Sequence, residues 1–159
     1  MTLLPLFEWC EASGVGQAIR TSPWAFAVIE SVHLLGLAAI GGAILMVDLR
    51  LLGILLPRQS VSAIASDVRP WLAGSLAVML ITGAALFTSE SVKCYYSTPF
   101  RVKMASLALA IAFTFTVRRR VASADPPPTG RWRQKLVGLI SLALWFTVAA
   151  SGRWIGFSG

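Results

Sequence analysis

Apolar positions along the chain fall into four long blocks, each closed by charge, proline or tryptophan. The first, residues 24–47, reads WAFAVIESVHLLGLAAIGGAILMV and carries the only histidine. At ~1.5 Å per residue it reaches ~36 Å, enough to cross a hydrocarbon core of ~30 Å with some tilt. The second block, 70–89, opens on Pro70, a residue favoured in a first helical turn, with Trp71 at interface depth. The third, 100–117, stops at Arg118, Arg119 and Arg120, and the fourth, 136–157, closes on Arg153 and Trp154. The pattern predicts an all-α integral membrane protein: an antiparallel four-helix bundle forming one membrane domain over residues 1–159.

The connections carry their own signals. After Asp48 and Arg50 a helix is expected to run along the interface to Leu56 and stop at Pro57, with a short surface helix over 59–68. ESVKCYYSTPFRVK, residues 90–103, is a short polar connection with two interfacial tyrosines. In VASADPPPTGRWRQK the three prolines and the glycine predict an irregular loop. Residues 1–22 predict a short amphipathic helix at the membrane surface, with Leu3, Leu4, Leu6, Phe7 and Trp9 interspersed with Glu8 and Glu11. No lysine or arginine precedes Arg20, so this segment reads as retained, not as a cleaved secretory signal.

Composition agrees with membrane insertion. Hydrophobic residues make up 56% of the chain and charged ones 13%, where a soluble domain carries about 25% charge. The net charge of +7 gathers at helix ends and in one loop, which points to topology and away from nucleic acid. Nine basic residues flank the first-to-second and third-to-fourth connections, against five on the opposite side. That bias predicts periplasmic N- and C-termini in a bacterial inner (cytoplasmic) membrane. Trp24 and Trp154 then belong to the outer aromatic belt, Trp71 and Trp132 to the inner one.

Candidate chemistry centres on Glu30 and His33, three positions apart and so on one face, which continues through Leu37, Gly41 and Ile44 to Asp48. Ionisable groups at such depth usually face a bundle interior, a cavity or a cofactor. With one histidine and no second intramembrane E-x-x-H, a di-iron site within one chain is excluded. His33 suits an axial haem ligand, and Met79, at comparable depth in the second block, suits the opposite face. Gly36, Gly41, Gly42, Gly74 and Gly83 leave room for a macrocycle or for close helix packing. Arg101, Lys103, Arg153 and Glu90 lie toward the same end. They read either as snorkelling residues, with Arg153 or Lys103 neutralising Glu30, or as a pocket for haem propionates or a quinone head. Cys10 and Cys94 read as one disulfide or two thiols on the outer side.

The stretches IESVHLLGLAAIGGAILMVDLRLLG, VRPWLAGSLAVMLITGAALF, ESVKCYYSTPFRVKM and SGRWIGF resemble an uncharacterised family of small bacterial four-span membrane proteins. The resemblance implies this fold and topology and assigns no activity. The H-x-x-G at His33 and Gly36 is more loosely similar to the copper-resistance D and b-type cytochrome membrane class, whose bundles normally carry several intramembrane histidines. Three functional expectations follow. One is a redox-cofactor site, for haem b or quinone, serving membrane electron transfer, with His33, Glu30, Met79, Arg153 and Lys103 as its residues. Another is a non-catalytic accessory subunit of a larger membrane complex or homo-oligomer. The third is a copper-handling protein using His33, Met79 and Met104. An enzyme is not expected, because no nucleophile–base pair or nucleotide fingerprint is present.

Overall fold

A computed structural model gives the fold and describes residues 3–123 and 130–157. The described residues are all-helical: α1 (Leu4–Glu11), α2 (Gly14–Thr21), α3 (Ala25–Leu51), α4 (Val61–Ser89), α5 (Ser91–Tyr96), α6 (Thr98–Phe113), α7 (Arg119–Ser123) and α8 (Arg131–Ile155). A π-helical turn, Thr114–Arg118, joins α6 to α7. Four continuous helices, Ala25–Leu51, Val61–Ser89, Thr98–Ser123 and Arg131–Ile155, are long and apolar enough to cross a membrane. Their outward faces are lipid-like, and Trp24, Trp71, Trp132 and Trp154 are all exposed.

Several helices begin where small polar side chains cap them. Ser13 accepts from the Gly16 amide, Ser60 from Ala63 and Ser97 from Phe100, each satisfying an otherwise orphaned amide. The Ser13 cap divides the expected single N-terminal helix into α1 and α2. The Ser60 cap merges the expected 59–68 surface helix and the second span into α4, so Pro70 sits inside a helix, not at its start. Pro70 and Ser66, whose carbonyl it deprives of a donor, are both exposed. Nor does the helix after Asp48 run along the interface to Leu56. It ends at Leu51, where Gly53 (φ 81°) lets Ile54 N bond Leu49 O and Gly53 N bond Arg50 O. The prolines Pro126, Pro127 and Pro128 lie outside the described residues, and both flanks of that expected loop are helical.

α3 packs on α4, α3 on α8, and α6 on α8. At one end, the capped end, α1 packs on α5 and α2 on α4. Glu11 holds the cap together. Its Oε1 pairs with Arg20 at 2.9 Å and its Oε2 accepts from the Val92 amide at 2.7 Å. Gly16 makes the cap's closest approach: a Cβ there would lie 2.5 Å from the Thr88 carbonyl oxygen. Neither backbone can yield cheaply, so Gly16→Ala is expected to cost ~1–3 kcal/mol. Faster trypsin cleavage at Arg20 in detergent, with α3–α8 resistant as before, checks this.

The close-packed core occupies the half of the bundle away from the cap. There Ile40, Ile44, Val47 and Leu51 of α3 meet Ile64, Val68 and Leu72 of α4, Ala122 of α7 and Val137 of α8. Toward the cap the packing gives way to cavities.

Candidate functional site

Two confluent cavities fill the capped half. The inner chamber, about 490 Å³, is lined by all four long helices and by Phe7 of α1. Its walls are apolar apart from His33 and Lys103. A second cavity of about 380 Å³ shares His33, Met79, Gly83, Phe87, Phe100 and Lys103 with the first, and continues to a charged rim of Glu30, Glu90, Lys93 and Arg153. These volumes lie in the range of small-molecule sites.

His33 is held by α4. Its Nδ1 lies 2.8 Å from Thr82 Oγ1, and Thr82 donates its hydroxyl proton to the Val78 carbonyl at 2.6 Å. With that proton engaged, Thr82 accepts from His33 Nδ1–H, and the neutral ring keeps an unprotonated Nε2 for a ligand. The absence of a side chain at Gly83 makes room for the imidazole: a Cβ there would be 3.3 Å from Cε1. Lys103 reaches in from α6 against Gly152 of α8, where a Cβ would stand 3.6 Å from Nζ. Among the described residues Lys103 forms no ion pair. One acceptor and one cationic donor thus face an otherwise apolar chamber.

The other sequence candidates are placed as follows. Glu30 is exposed, not buried, and contributes to the charged rim without an ion pair among the described residues. Arg153 is exposed on the same rim, its guanidinium 4.7 Å from the Phe157 ring centroid. Met79 lines both cavities, but it does not face His33 across them. In antiparallel register His33 packs at Gly83 and Met79 at Gly36, where a Cβ would be 3.4 Å from its Sδ. The two side chains are stacked one turn apart along a single helix seam. A macrocycle between them would have to cut through that seam. Of the five glycines, Gly36 and Gly83 serve close approach, whereas a Cβ at Gly41, Gly42 or Gly74 would meet nothing from another helix within 4 Å. No group of three His, Cys, Asp or Glu residues is arranged to hold a metal ion among the described residues.

The buried charges are elsewhere. Asp48 is 0% exposed and accepts from Arg118 Nε at 2.6 Å, while Arg118 Nη2 donates to the Ile44 carbonyl at 3.3 Å. Ser141 of α8 is equally buried beside this pair.

A family of unknown function, DUF6644, matches residues 6–158 of the chain. The chain belongs to this family. No curated protein and no solved structure matches it. Membership in DUF6644 covers the bundle and its cap together, so both cavities, the His33–Thr82 pair and the Asp48–Arg118 pair lie within the family's extent.

Sequence reasoning passes over three features of this site. Thr82, which sets the His33 tautomer, carries no signal beyond a hydroxyl in a span. Trp145 lines the chamber, anchored by its Nε1 to Thr114 Oγ1 at 3.0 Å, and reads in the sequence as one more apolar residue. The Phe7, Phe87 and Phe100 rings, with centroids 5.5 Å and 5.6 Å apart in turn, close the capped end and come from three separate segments.

Cys10 and Cys94 are free thiols, the first half-buried and the second buried. Burial first, and the nearby Glu90 second, push the Cys94 thiol up to about 11, so its thiolate is scarce at neutral pH. At pH 8 a maleimide should label Cys10 and leave Cys94 almost untouched, with Cys94 labelling rising only as pH approaches 11. Mass spectrometry of the two peptides checks it; equal labelling at pH 8 would contradict the burial of Cys94.

Proposed function

We propose that this protein binds an isoprenoid quinone in the chamber at His33 and through it takes part in membrane electron transfer. The observation that carries the reading is the pairing of an acceptor, His33 Nε2, with a donor, Lys103 Nζ, in an otherwise apolar chamber. A quinone head presents two oxygens on opposite sides of a flat apolar ring. Its carbonyl suits the Lys103 ammonium and, once reduced, its hydroxyl suits His33 Nε2. Trp145, Phe87 and Phe100 supply apolar and aromatic surface for the ring.

Haem b fits less well. One histidine is available, and its expected partner Met79 shares a seam with it, one turn away.

The proposal extends to location: a bacterial inner membrane with the capped end, and so both termini, on the periplasmic side. Burial of Arg118 and the place of Lys103 in the chamber remove both from the interfacial count. The bias then becomes eight basic residues against four and keeps its direction.

Titration of the detergent-purified protein with decylubiquinone, followed by tryptophan fluorescence, tests the reading. Saturable quenching that disappears in Trp145→Phe, together with a quinone in the organic extract of the purified protein, is expected. No saturable quenching and no extracted quinone would overturn it, and a haem band in the reduced-minus-oxidised spectrum would restore haem.

A further inference from the structure

The chamber at His33 has walls of unequal quality. Three of its seams are close-packed, α3 on α4, α3 on α8 and α6 on α8, whereas α4 and α6 do not pack against each other in this way among the described residues. The Phe7, Phe87 and Phe100 rings close the capped end. Ile40, Leu76 and Trp145 close the other, where the chamber runs into the packed core. On the fourth side the wall is Leu80 of α4 and Met104 of α6. Each of these lines the chamber, and each is 48% exposed on the outside of the bundle. A side chain that meets both the cavity and the exterior marks an opening. Its depth follows from helix geometry: Met104 lies six residues below the start of α6 and Leu80 nine below the end of α4, or ~9 and ~14 Å. That is within the hydrocarbon layer, and Ile81, next to Leu80 on α4, is 71% exposed.

We infer that the ligand enters from the hydrocarbon layer through the α4/α6 seam and is long-tailed, its head at His33 and Lys103 and its tail leaving between Leu80 and Met104. This rests on the quinone reading and adds to it the route and the direction in which the tail leaves. The second cavity is the competing route, but its rim of Glu30, Glu90, Lys93 and Arg153 is charged. A hydrocarbon tail drawn past those groups would strip their hydration without replacing it, whereas the Leu80–Met104 mouth costs the tail nothing relative to lipid. The chamber therefore orients the ligand: tail toward the bilayer, polar head toward the charged rim.

Two measurements test this. In nanodiscs, Met104→Trp should slow association of decylubiquinone about tenfold, as a gated site does, and leave association of the tail-less 2,3-dimethoxy-5-methyl-benzoquinone unchanged, since a small head can pass the polar rim. Unchanged rates for both quinones, or equal slowing of both, would overturn the route. With the wild-type protein, a decyl quinone bearing a diazirine at its tail end should photolabel peptides containing Leu80, Ile81 or Met104. Labelling at Phe26, Glu30 or Arg153 instead would overturn the orientation without any variant. If the wild-type protein shows no saturable Trp145 quenching and yields no quinone on extraction, the quinone reading itself has failed, a result distinct from either of these.

Discussion

Arg118→Ala is expected to cost ~3–5 kcal/mol of stability, the usual penalty for leaving one member of a buried ion pair alone. Asp48 has no exposure, and Arg118 Nε at 2.6 Å is its principal partner; its Oδ2 lies within the core without a hydrogen bond, as does Ser141 Oγ. Removing the guanidinium leaves a carboxylate facing Ser141 and aliphatic side chains, and it also frees the Ile44 carbonyl that Arg118 Nη2 engages. By contrast, Lys93→Ala, which removes an exposed pair at 3.9 Å, should change stability by ~0–1 kcal/mol. The double variant Asp48→Leu/Arg118→Met should recover most of what Arg118→Ala loses, because an apolar pair of similar volume requires no compensation for buried charge. Thermal unfolding followed by circular dichroism in one detergent checks all three. Arg118→Ala within ~0.5 kcal/mol of wild type, the range of an ordinary surface substitution, would mean the pair does not hold the α3–α6–α8 junction.

This pair shows where the sequence is legible and where it is not. The four spans are plain, because an uninterrupted apolar run of such length, in a chain of this composition, rarely arises except to cross a bilayer. The face from His33 to Asp48 is also visible, and Asp48 does lie on the buried stripe of α3 with Ile40, Ile44 and Val47. Its partner is hidden by company. Arg118 stands in a run of three arginines, and the run reads as a topology signal. The distinguishing pattern is the stripe Ser106, Ala110, Thr114, Arg118, all buried and all spaced by four. A regular helix would carry such a stripe around its axis, away from α3 and α8. The wider π turn at Thr114–Arg118 absorbs the drift, so Arg118 stays in line while Arg119 and Arg120 turn outward. A π turn leaves no residue signature, so spacing by four is the only clue to it.

The functional site is legible in part for a similar reason. A lone histidine in a span announces itself, and it packs against Thr82 and Gly83 in the capped half of α4. Depth alone does not say which way a side chain points. Glu30, three residues from His33, shares its face only approximately, and α3 emerges from the bundle near its start, which leaves the carboxylate on the exposed rim. Gly36 admits Met79 onto α3, one turn from His33 along the same seam. Lys103 reads in the sequence either as a snorkelling residue or as part of a ligand pocket, and it turns inward against Gly152, where a larger residue would exclude it. In each case the deciding factor is a glycine or a cavity on a different helix.

Substitutions at His33 and Lys103 should then act with opposite sign on a bound quinone. His33→Ala removes the acceptor for the reduced ligand's hydroxyl, and Lys103→Met removes the donor to the oxidised ligand's carbonyl. Leaving a buried polar group unpaired costs ~1–3 kcal/mol, or roughly five- to 150-fold in affinity. Each variant should therefore weaken mainly one redox form: His33→Ala the quinol, lowering the bound ligand's midpoint potential, and Lys103→Met the quinone, raising it. For a two-electron couple ~1.4 kcal/mol corresponds to ~30 mV, well within a redox titration monitored in the ultraviolet. Thr82→Val sharpens the test, since it removes no group that touches the ligand. Without Thr82 Oγ1 at 2.8 Å, nothing keeps the ring proton on Nδ1. The proton moves to Nε2, which turns His33 from acceptor to donor and should shift the potential in the same direction as His33→Ala. A Thr82→Ser protein, which retains the hydroxyl, should behave as wild type. If Thr82→Val and His33→Ala leave the potential of bound decylubiquinone where Lys103→Met leaves it, the acceptor role of Nε2 is wrong, and with it the chemistry assigned to this chamber.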